Sequence, residues 1–425
     1  MRKIEIHNKS FQIVIIGLGY VGLTYAIYLA KKGFKVIGIE KDINLKEKIN
    51  KGELPFFEKG LDEILDTVIN KNLIVFSQDE FENQNYSSLD LIYIITVGTP
   101  IIKFKLNEKP LKEVFSTIKK NIKKNDVIIL RSTVPIGFTK KMMSKFKLQN
   151  LYCFAPERSI EGDAYNELDK IPQVYGADSP DSFNFFDILF SILSIKPLRV
   201  SNSMTAEMIK LTSNVYRDVI FGFSNEISKI SYNYDLNPNE IITACNLDYP
   251  RCNIFSSGPV AGPCLTKDSY ILSESDYFDS TNSIIHSARK INETYILNIL
   301  NTFISKIKSA CILGIAFKGT PSTSDTRDSY ALKINRYLKS KNIKVYGYDP
   351  LVYSRDFIKY KISKASSIED SFKNKDLIII QNNNEIFKQL DLNYLSSLMN
   401  KNGIILDLWS LYSKPNCNNI KYINL

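Results

Sequence analysis

Histidine and tryptophan are nearly missing from this chain of 425 residues, which contains two histidines and one tryptophan. His7 falls in the first strand region and His286 on a helical stretch, neither with the partners of a nucleophilic triad, so proton transfer falls to carboxylates, lysine and water. The six cysteines (Cys153, Cys245, Cys252, Cys264, Cys311 and Cys417) include no CxxC pair. Neither a disulfide framework nor a zinc site is suggested, no metal is expected, and a reducing cytoplasm fits best. No apolar run approaches the roughly 18 to 20 residues a membrane helix needs, so no span is expected. The net charge of +10 is spread through helices and loops, and no basic run is interleaved with aromatics. Specific nucleic-acid binding is therefore not expected, although small anionic substrates would be attracted.

What the chain does have is length for two or three domains and a hydrophobic fraction of 44%, ordinary for a globular protein. The basic and then apolar start, MRKIEIHNKSFQIVIIGLGY, runs into a glycine-rich turn without a cleavage site and reads as a first strand, not a leader. From there to about residue 200, short β-branched runs (FQIVIIGLG, FKVIGIE, LIVFS, LDLIYIITVGTP, NDVIILRSTVP, LYCFAPE) alternate with helical patterns, which argues for a parallel sheet covered on both faces. From about Asn202 the period changes. Met204, Met208, Leu211, Val215, Val219, Phe223, Ile227 and Ile230 recur at helical steps and predict one long amphipathic helix to about Tyr232. Asn237-Pro238 opens a further helix, with the proline at its first position. After about Lys306 the α/β pattern returns (SACILGIAF, IKVYGYDP, DLIIIQ, GIILDLW). The expected architecture is α/β: two doubly wound domains, over 1–200 and 304–425, joined by a helical domain over 201–303 with a long central helix.

Gly17-Leu18-Gly19-Tyr20-Val21-Gly22 is a GxGxxG motif lying directly after a strand and opening a helix. The first glycine permits the tight turn, the second lets the backbone approach a pyrophosphate, and the third allows close helix-to-strand packing. The next strand ends in Glu40, about twenty residues on, where a carboxylate accepts hydrogen bonds from a ribose and repels a 2′-phosphate. The motif predicts a dinucleotide cofactor, NAD in preference to NADP, with Lys41 weakening the discrimination.

Gly258-Pro259-Val260-Ala261-Gly262-Pro263-Cys264-Leu265-Thr266-Lys267-Asp268 packs small residues, a thiol, a cation and a carboxylate into one stretch. A thiolate needs a nearby cation or dipole and reachable surroundings, and the stretch supplies both. Taken alone it reads equally as a structural cysteine or a nucleophile. The segment resembles the GxGGxCxxKD-type signature of the UDP-glucose/UDP-N-acetylmannosamine dehydrogenase family. Other pieces agree in order along nearly the whole chain: GLGYVGL, Val97-Gly98-Thr99-Pro100, Ser132-Thr133-Val134-Pro135-Ile136-Gly137, Ala155-Pro156-Glu157-Arg158, Glu207-Met208-Ile209-Lys210-Leu211-Thr212-Ser213-Asn214, and Phe317-Lys318 with Asp325-Thr326-Arg327-Asp328-Ser329.

The resemblance implies a four-electron oxidation of a UDP-sugar's C6 hydroxymethyl to a carboxylate, using two NAD, with Cys264 capturing the aldehyde as a thiohemiacetal and passing through a thioester. It implies that Lys210 and Asn214 steady the oxyanions, that Asp268 and Thr133 orient water, and that Glu157 is the base for hydrolysis. Gly17, Gly19, Tyr20, Val21, Gly22, Glu40, Thr99, Thr133, Glu161, Lys267 and Arg327 are carried over as the cofactor set. For the substrate the set is Glu157, Arg158, Lys210, Asn214, Arg251, Gly262, Cys264, Phe317 and Lys318. Arg251 and Arg327 match positions that meet the nucleotide sugar, where guanidinium forks suit a pyrophosphate.

Two departures bear on the transfer. The family's doubled glycine is Ala261-Gly262 here, with Pro263 stiffening the turn. Pro156-Glu157-Arg158 stands where glucose-type members read PEF, which points to the branch handling N-acetylated hexosamines, while Lys267-Asp268 is shared with glucose-type members. UDP-N-acetylmannosamine or a related UDP-N-acetylhexosamine is the expected substrate, and UDP-glucose the alternative. A two-electron hydroxyacid dehydrogenase and a non-catalytic NAD-binding scaffold are the rival classes. The apolar length of the central helix also predicts a homodimer built on it, with Arg251 reaching the neighbouring active site.

Overall fold

A computed structural model describes residues 2–84, 86, 89–412 and 420–425. The chain forms two compact units, Met1–Ser213 with Tyr270–Phe278, and Asn214–Ser269 with Asp279–Leu425.

In the first unit the β-branched runs become strands: β1 Ile4–Ile6, β2 Lys9–Ile16, β3 Val36–Ile39, β4 Leu73–Phe76, β5 Asp90–Ile95, a short hairpin of β6 Ile101–Ile102 and β7 Lys105–Leu106, then β8 Val127–Leu130, β9 Tyr152–Phe154, β10 Gln173–Ala177 and β11 Pro197–Val200. The main sheet runs β11-β10-β9-β8-β5-β2-β3-β4, with β1 paired to β2. Pairing is parallel except between β1 and β2 and between β9 and β10. The first strand expected from the sequence is in fact a hairpin. His7 and Asn8 take φ of 49° and 58°, which turns the chain back so that Ile4 faces Phe11 across the ladder. Ile13, Ile15, Ile92, Ile94 and Ile129 lie in one buried cluster with the helix Tyr20–Lys31 and the phenylalanines of the helix Pro180–Ile192. That last helix begins where Ser179 accepts from the backbone of Ser182 and Pro180 occupies the first turn. Phe183, Phe186 and Phe190 then stack around Tyr175 of β10.

The second unit carries β12 Ser309–Leu313, β13 Lys344–Tyr348, β14 Ser363–Lys364, β15 Leu377–Ile380, β16 Ile404–Asp407 and β17 Lys421–Asn424, in the order β14-β13-β12-β15-β16-β17 and parallel throughout. Successive strand residues go to opposite faces. Ala310 and Ile312 enter one core cluster, and Cys311 and Leu313 the other. Both faces are buried, which is why these runs are continuously apolar.

The expected long helix spans Ser203–Asn233. Its faces are not the ones that periodicity alone suggests. Leu211 and Val215 point inward, but so do Glu207, Asp218, Ser224, Asn225, Ser228 and Ser231, while Met204, Met208, Tyr216, Phe223 and Ile230 are exposed. Gly222 lies on the inward face because a Cβ there would come within 2.6 Å of that of Ala288. The buried face is small and polar because it packs closely against backbone, as the site geometry explains. Asn237 caps the following helix, Pro238–Asn246, as expected from its proline. Among the described residues no helix is long and apolar enough to cross a membrane.

Glu207 does unusual work for a residue on a helix face. Its carboxylate accepts from the backbone N–H groups of Gly137 and Thr139 and from the Thr139 hydroxyl, at 2.5, 2.8 and 2.5 Å, holding the start of the helix Phe138–Lys145 and the STVPIG turn before it. Burial pushes its pKa up to about 7, the three donors opposing and Asp178 reinforcing the rise. The folded protein therefore binds a proton at Glu207 that the unfolded chain releases above its ordinary carboxylate range. Glu207 thus makes stability fall as pH rises from 4.5 to 7, by on the order of 2 to 3 kcal/mol. Urea midpoints across that range should show this slope, and Glu207→Gln should flatten it. An unchanged slope in the variant would mean that Glu207 is ionised throughout.

Candidate functional site

In the first unit the candidate cofactor site lies at the carboxyl ends of β2 and β5, where the strand order reverses and open α/β sheets bind ligands. Gly17 takes φ of 92°, and a Cβ there would lie 2.9 Å from Val97. At Gly22 a Cβ would come within 1.9 Å of the Gly17 carbonyl oxygen, whereas at Gly19 it would meet nothing within 4 Å. Two of the three glycines are thus demanded by packing, and the second leaves the backbone open beside the amino end of the helix Tyr20–Lys31. This is the cradle a pyrophosphate requires. Tyr20 and Val21 are the first residues of that helix.

Glu40 follows β3 and is buried. One carboxylate oxygen accepts from Leu18 N–H at 2.8 Å and the other from Asp42 N–H at 3.0 Å, so the acid braces the glycine turn and keeps a fixed orientation. Tyr20 turns its hydroxyl to the buried Glu58 carboxylate, and the Gly162 N–H donates to both groups at 2.8 Å. The turn of the GxGxxG motif is thereby tied to the segment carrying Glu161, which is half-buried. Thr99 is buried after β5, and Thr133 is half-buried in the loop after β8.

Glu157, after β9, is the most firmly held of the proposed groups. One oxygen accepts from the backbone N–H of Arg158 and of Ser159, both at 2.8 Å, and the other pairs with the guanidinium of Arg131 at 2.5 Å. Arg131 is itself buried, donating to Gln173 at 2.6 Å and lying over the Tyr25 ring. Burial works to raise the Glu157 pKa, but Arg131 and the hydrogen bonds from Ser159 and Arg158 outweigh it and hold the group below the usual carboxylate range. A carboxylate so held is a weak base but a well-fixed hydrogen-bond acceptor. Arg131 carried no signal in the sequence, since its partner lies 26 residues away in the chain. Lys210 is half-buried on the long helix.

The second unit gathers Asn214, Gly262, Cys264, Lys267 and Asp268. Cys264 is exposed at the start of the helix Leu265–Leu272, and its carbonyl accepts from the N–H of Lys267 and Asp268 at 3.1 and 3.0 Å. Asp268 is buried. It accepts from Asn214 Nδ2 at 2.6 Å on one oxygen, while the other lies 3.3 Å from the Lys267 ammonium. Asn214 stands four residues after Lys210 on the long helix, one turn along the same face. Gly262 takes φ of 89°, and a Cβ would lie 2.5 Å from the Phe317 ring, whereas Ala261 is buried without such a constraint. Of the family's doubled glycine, only the second is demanded here.

Phe317 and Lys318 lie in the loop after β12, at the point where the second sheet reverses its order, with the Lys318 ammonium 5.4 Å from the Phe317 ring centre. Arg327 is bound to Asp325 through its backbone N–H and its guanidinium. Arg251 is exposed, with its guanidinium over the Tyr249 ring and donating to the Tyr249 hydroxyl. Of the other cysteines, Cys153 and Cys311 are buried, Cys252 is half-buried and Cys245 is exposed, and Cys417 lies outside the described residues.

Residues 11–194, 204–294 and 311–414 match respectively the NAD-binding, central and UDP-binding domains of the UDP-glucose/GDP-mannose dehydrogenase family. The chain is 32% identical to a UDP-N-acetyl-D-mannosamine dehydrogenase of Methanococcus aeolicus, over 93% of this chain and 90% of that protein. It is 31% identical to the same-named enzyme of Methanocaldococcus jannaschii, over 97% and 96%. Among solved structures it is similar to UDP-D-ManNAc dehydrogenase from Pyrococcus horikoshii, with a TM-score of 0.84 at 28% identity, covering 97% of this chain and 99% of that one. UDP-N-acetyl-mannosamine dehydrogenase from Staphylococcus aureus gives 0.82 at 25% identity, covering 97% and 98%. A glycine cradle braced by Glu40, an exposed thiol at the head of a helix, and matches to three successive domain models lead to one conclusion: the chain belongs to the UDP-glucose/GDP-mannose dehydrogenase family and is an NAD-dependent UDP-sugar dehydrogenase.

Proposed function

We propose that the enzyme oxidises the C6 hydroxymethyl of UDP-N-acetylmannosamine, or of a closely related UDP-N-acetylhexosamine, to the uronate, with Cys264 as the covalent nucleophile. The observation that carries the proposal is the placement of the Cys264 thiol, exposed at a helix start one turn from an Asp268 carboxylate that accepts from Asn214. The names of the similar enzymes support the sugar, as does Arg158 at the position after Glu157. The three functional divisions are taken as 1–200, 201–303 and 304–425.

The turns around Gly17, Gly19 and Gly22, with Glu40, Thr99, Glu161, Lys267 and Arg327, would hold the cofactor, and bound NAD accepts the hydride released in each of the two oxidations. Once C6 is an aldehyde, the Cys264 sulfur bonds to it and the carbonyl oxygen becomes an oxyanion, which the Lys210 ammonium and the Asn214 amide are suited to hold. Loss of hydride from that tetrahedral carbon leaves a thioester on Cys264. Water then adds, the C–S bond breaks, and the products are free thiol and carboxylate. Overall, one alcohol, two NAD and one water give one carboxylate, two NADH and three protons.

Asp268 and Thr133 orient that water. Glu157 was assigned from the resemblance as its base, and the anchoring by Arg131 suits it better to fixing the water's position than to shuttling its proton. Arg131→Met removes the cation that holds Glu157 ionised, so its pKa rises, and the acidic limb of the kcat profile moves to higher pH. A limb that stays in place would remove Glu157 from the rate-determining ionisation.

NADH counted per substrate over a panel of UDP-sugars tests the whole reading. Two equivalents with an N-acetylhexosamine, and a Cys264→Ser variant that releases no uronate, are expected. One equivalent would make the chain a two-electron dehydrogenase, and unchanged turnover in the serine variant would exclude the thioester.

The exposed Met204, Met208, Tyr216, Phe223 and Ile230 follow one side of the helix, and a row of exposed apolar residues of this kind marks a protein–protein contact. A second copy covers them in our reading, which makes the enzyme a homodimer and leaves Arg251 available to the neighbouring site. Cysteine usage is consistent with a cytoplasmic location. Light scattering at micromolar concentration should give twice the chain mass, and Phe223→Asp should lower it. A wild-type monomer would contradict the reading.

A further inference from the structure

The loop that delivers Cys264 has no strand or helix hydrogen bonding from 252 to 261, yet Ser257 through Gly262 are buried. Irregular backbone is ordinarily kept at the surface, because each buried N–H or C=O left without a partner is costly. Here the partners come from a side-chain network that the proposed chemistry does not use.

Asn225, fully buried on the inward face of the long helix, accepts from the Gly258 N–H at 2.9 Å and donates to the Gly258 carbonyl at 3.0 Å. The same amide donates to Asn292 at 2.8 Å. Asn292 in turn donates to the Asp218 carboxylate and to the Asp218 carbonyl, each at 2.8 Å. Arg289, 2% exposed, completes the set: one guanidinium nitrogen lies 2.8 Å from Asp218 and 3.0 Å from the carbonyl of Leu265, the residue immediately after the nucleophile. The second Asp218 oxygen accepts from Ser269 at 2.7 Å, within the helix that Cys264 begins. The far side of Gly258 is closed by the Trp409 ring, which a Cβ at Gly258 would approach to 2.8 Å.

We infer that Asn225 and Arg289 are positioning residues for Cys264, gripping its loop at Gly258 and Leu265 from a common buried anchor at Asp218. This rests on the reading of Cys264 as the nucleophile. The two grips hold the backbone on either side of the exposed thiol, at Gly258 before it and at Leu265 after it, and so set where the sulfur stands. Loosening one grip leaves the glycine cradle in place, and Ser269 still ties the helix that carries Lys267 to Asp218, so cofactor binding is kept while the sulfur is misplaced relative to the aldehyde. The aldehyde then escapes before capture.

The test is Asn225→Ala in the full-length enzyme, with kcat, NAD affinity, thermal melting, and aldehyde trapped by semicarbazide during turnover. A fall in kcat of about 10- to 100-fold, trapped aldehyde that the wild type does not release, and NAD affinity within about twofold of wild type are expected. A folded variant with wild-type kcat and no trapped aldehyde overturns the inference. Should Asn225→Ala fail to fold, Arg289→Lys, whose shorter side chain keeps a charge beside Asp218 but draws it back from the Leu265 carbonyl, is read by the same measurements with the same two outcomes. Cys264→Ser separates the two levels. If it still makes uronate, the nucleophile reading has failed. If it is inactive while Asn225→Ala behaves as wild type, only the positioning inference has.

Discussion

Asn225 satisfies both backbone groups of Gly258, and much of the second unit can be understood from that contact. A thiol with the role proposed for Cys264 must be reachable, which calls for a loop, and it must be fixed, which calls for burial. These demands conflict, since a buried loop leaves peptide groups without partners at a cost of about 1 to 3 kcal/mol each. The chain meets both by burying Ser257 to Gly262, supplying side-chain partners from a helix face that carries Asp218 and Asn225 in place of leucines, and letting Cys264 emerge beyond them. The glycines at 258 and 262 then follow from packing, against Trp409 and Phe317 respectively.

The two sheets solve a common problem with one device. In the first, Gly17 at φ 92° donates to the Ile39 carbonyl at the end of β3, and Glu40 beside it accepts from Leu18 N–H. In the second, Gly314 at φ 87° donates to the Tyr348 carbonyl at the end of β13, and Asp349 accepts from the N–H of Ile315 and Ala316. Each acid ties the turn after the first strand of its fold to the end of the next. The difference lies in reach. Both Asp349 oxygens are spent on four backbone donors, those of Ile315, Ala316, Leu351 and Val352, whereas each Glu40 oxygen serves one and retains a lone pair for a ribose.

Elements whose cause is local were readable from the sequence. Continuous β-branched runs gave the central strands of both sheets, and the GxGxxG spacing located the cradle. Asn237-Pro238 marked a helix start to the residue. Features whose cause lies across the chain were not readable. The hairpin at His7 and Asn8 looked like one long strand because both of its arms are apolar, and only positive φ at two adjacent residues turns it. The long helix was placed correctly and its inward face was not, because periodicity counts apolar residues and this face packs closely against backbone and is therefore small and polar. Arg131 with Glu157, and Asn225 with Gly258, are pairs separated by 26 and 33 residues, with no pattern to join them.

Pairing of this kind also bears on how a chain with these carboxylates accepts an anionic substrate. A UDP-sugar brings a pyrophosphate, and uncompensated carboxylates near its path would oppose entry. Yet the reaction as proposed asks for fixed acceptors at Glu157 and Asp268. Both are present, and each is matched: Glu157 by the buried Arg131, Asp268 by Lys267 and the Asn214 amide. Asp325 is likewise paired with Arg327, and Asp218 with Arg289. Each acid keeps its geometry as an acceptor while its field is cancelled within a few ångströms, so the excess of 55 basic over 45 acidic residues remains to draw in the anion. With two histidines in the chain, that arrangement also explains why covalent capture suits it. A thioester asks its surroundings to hold charge in place and leaves the proton transfers to water.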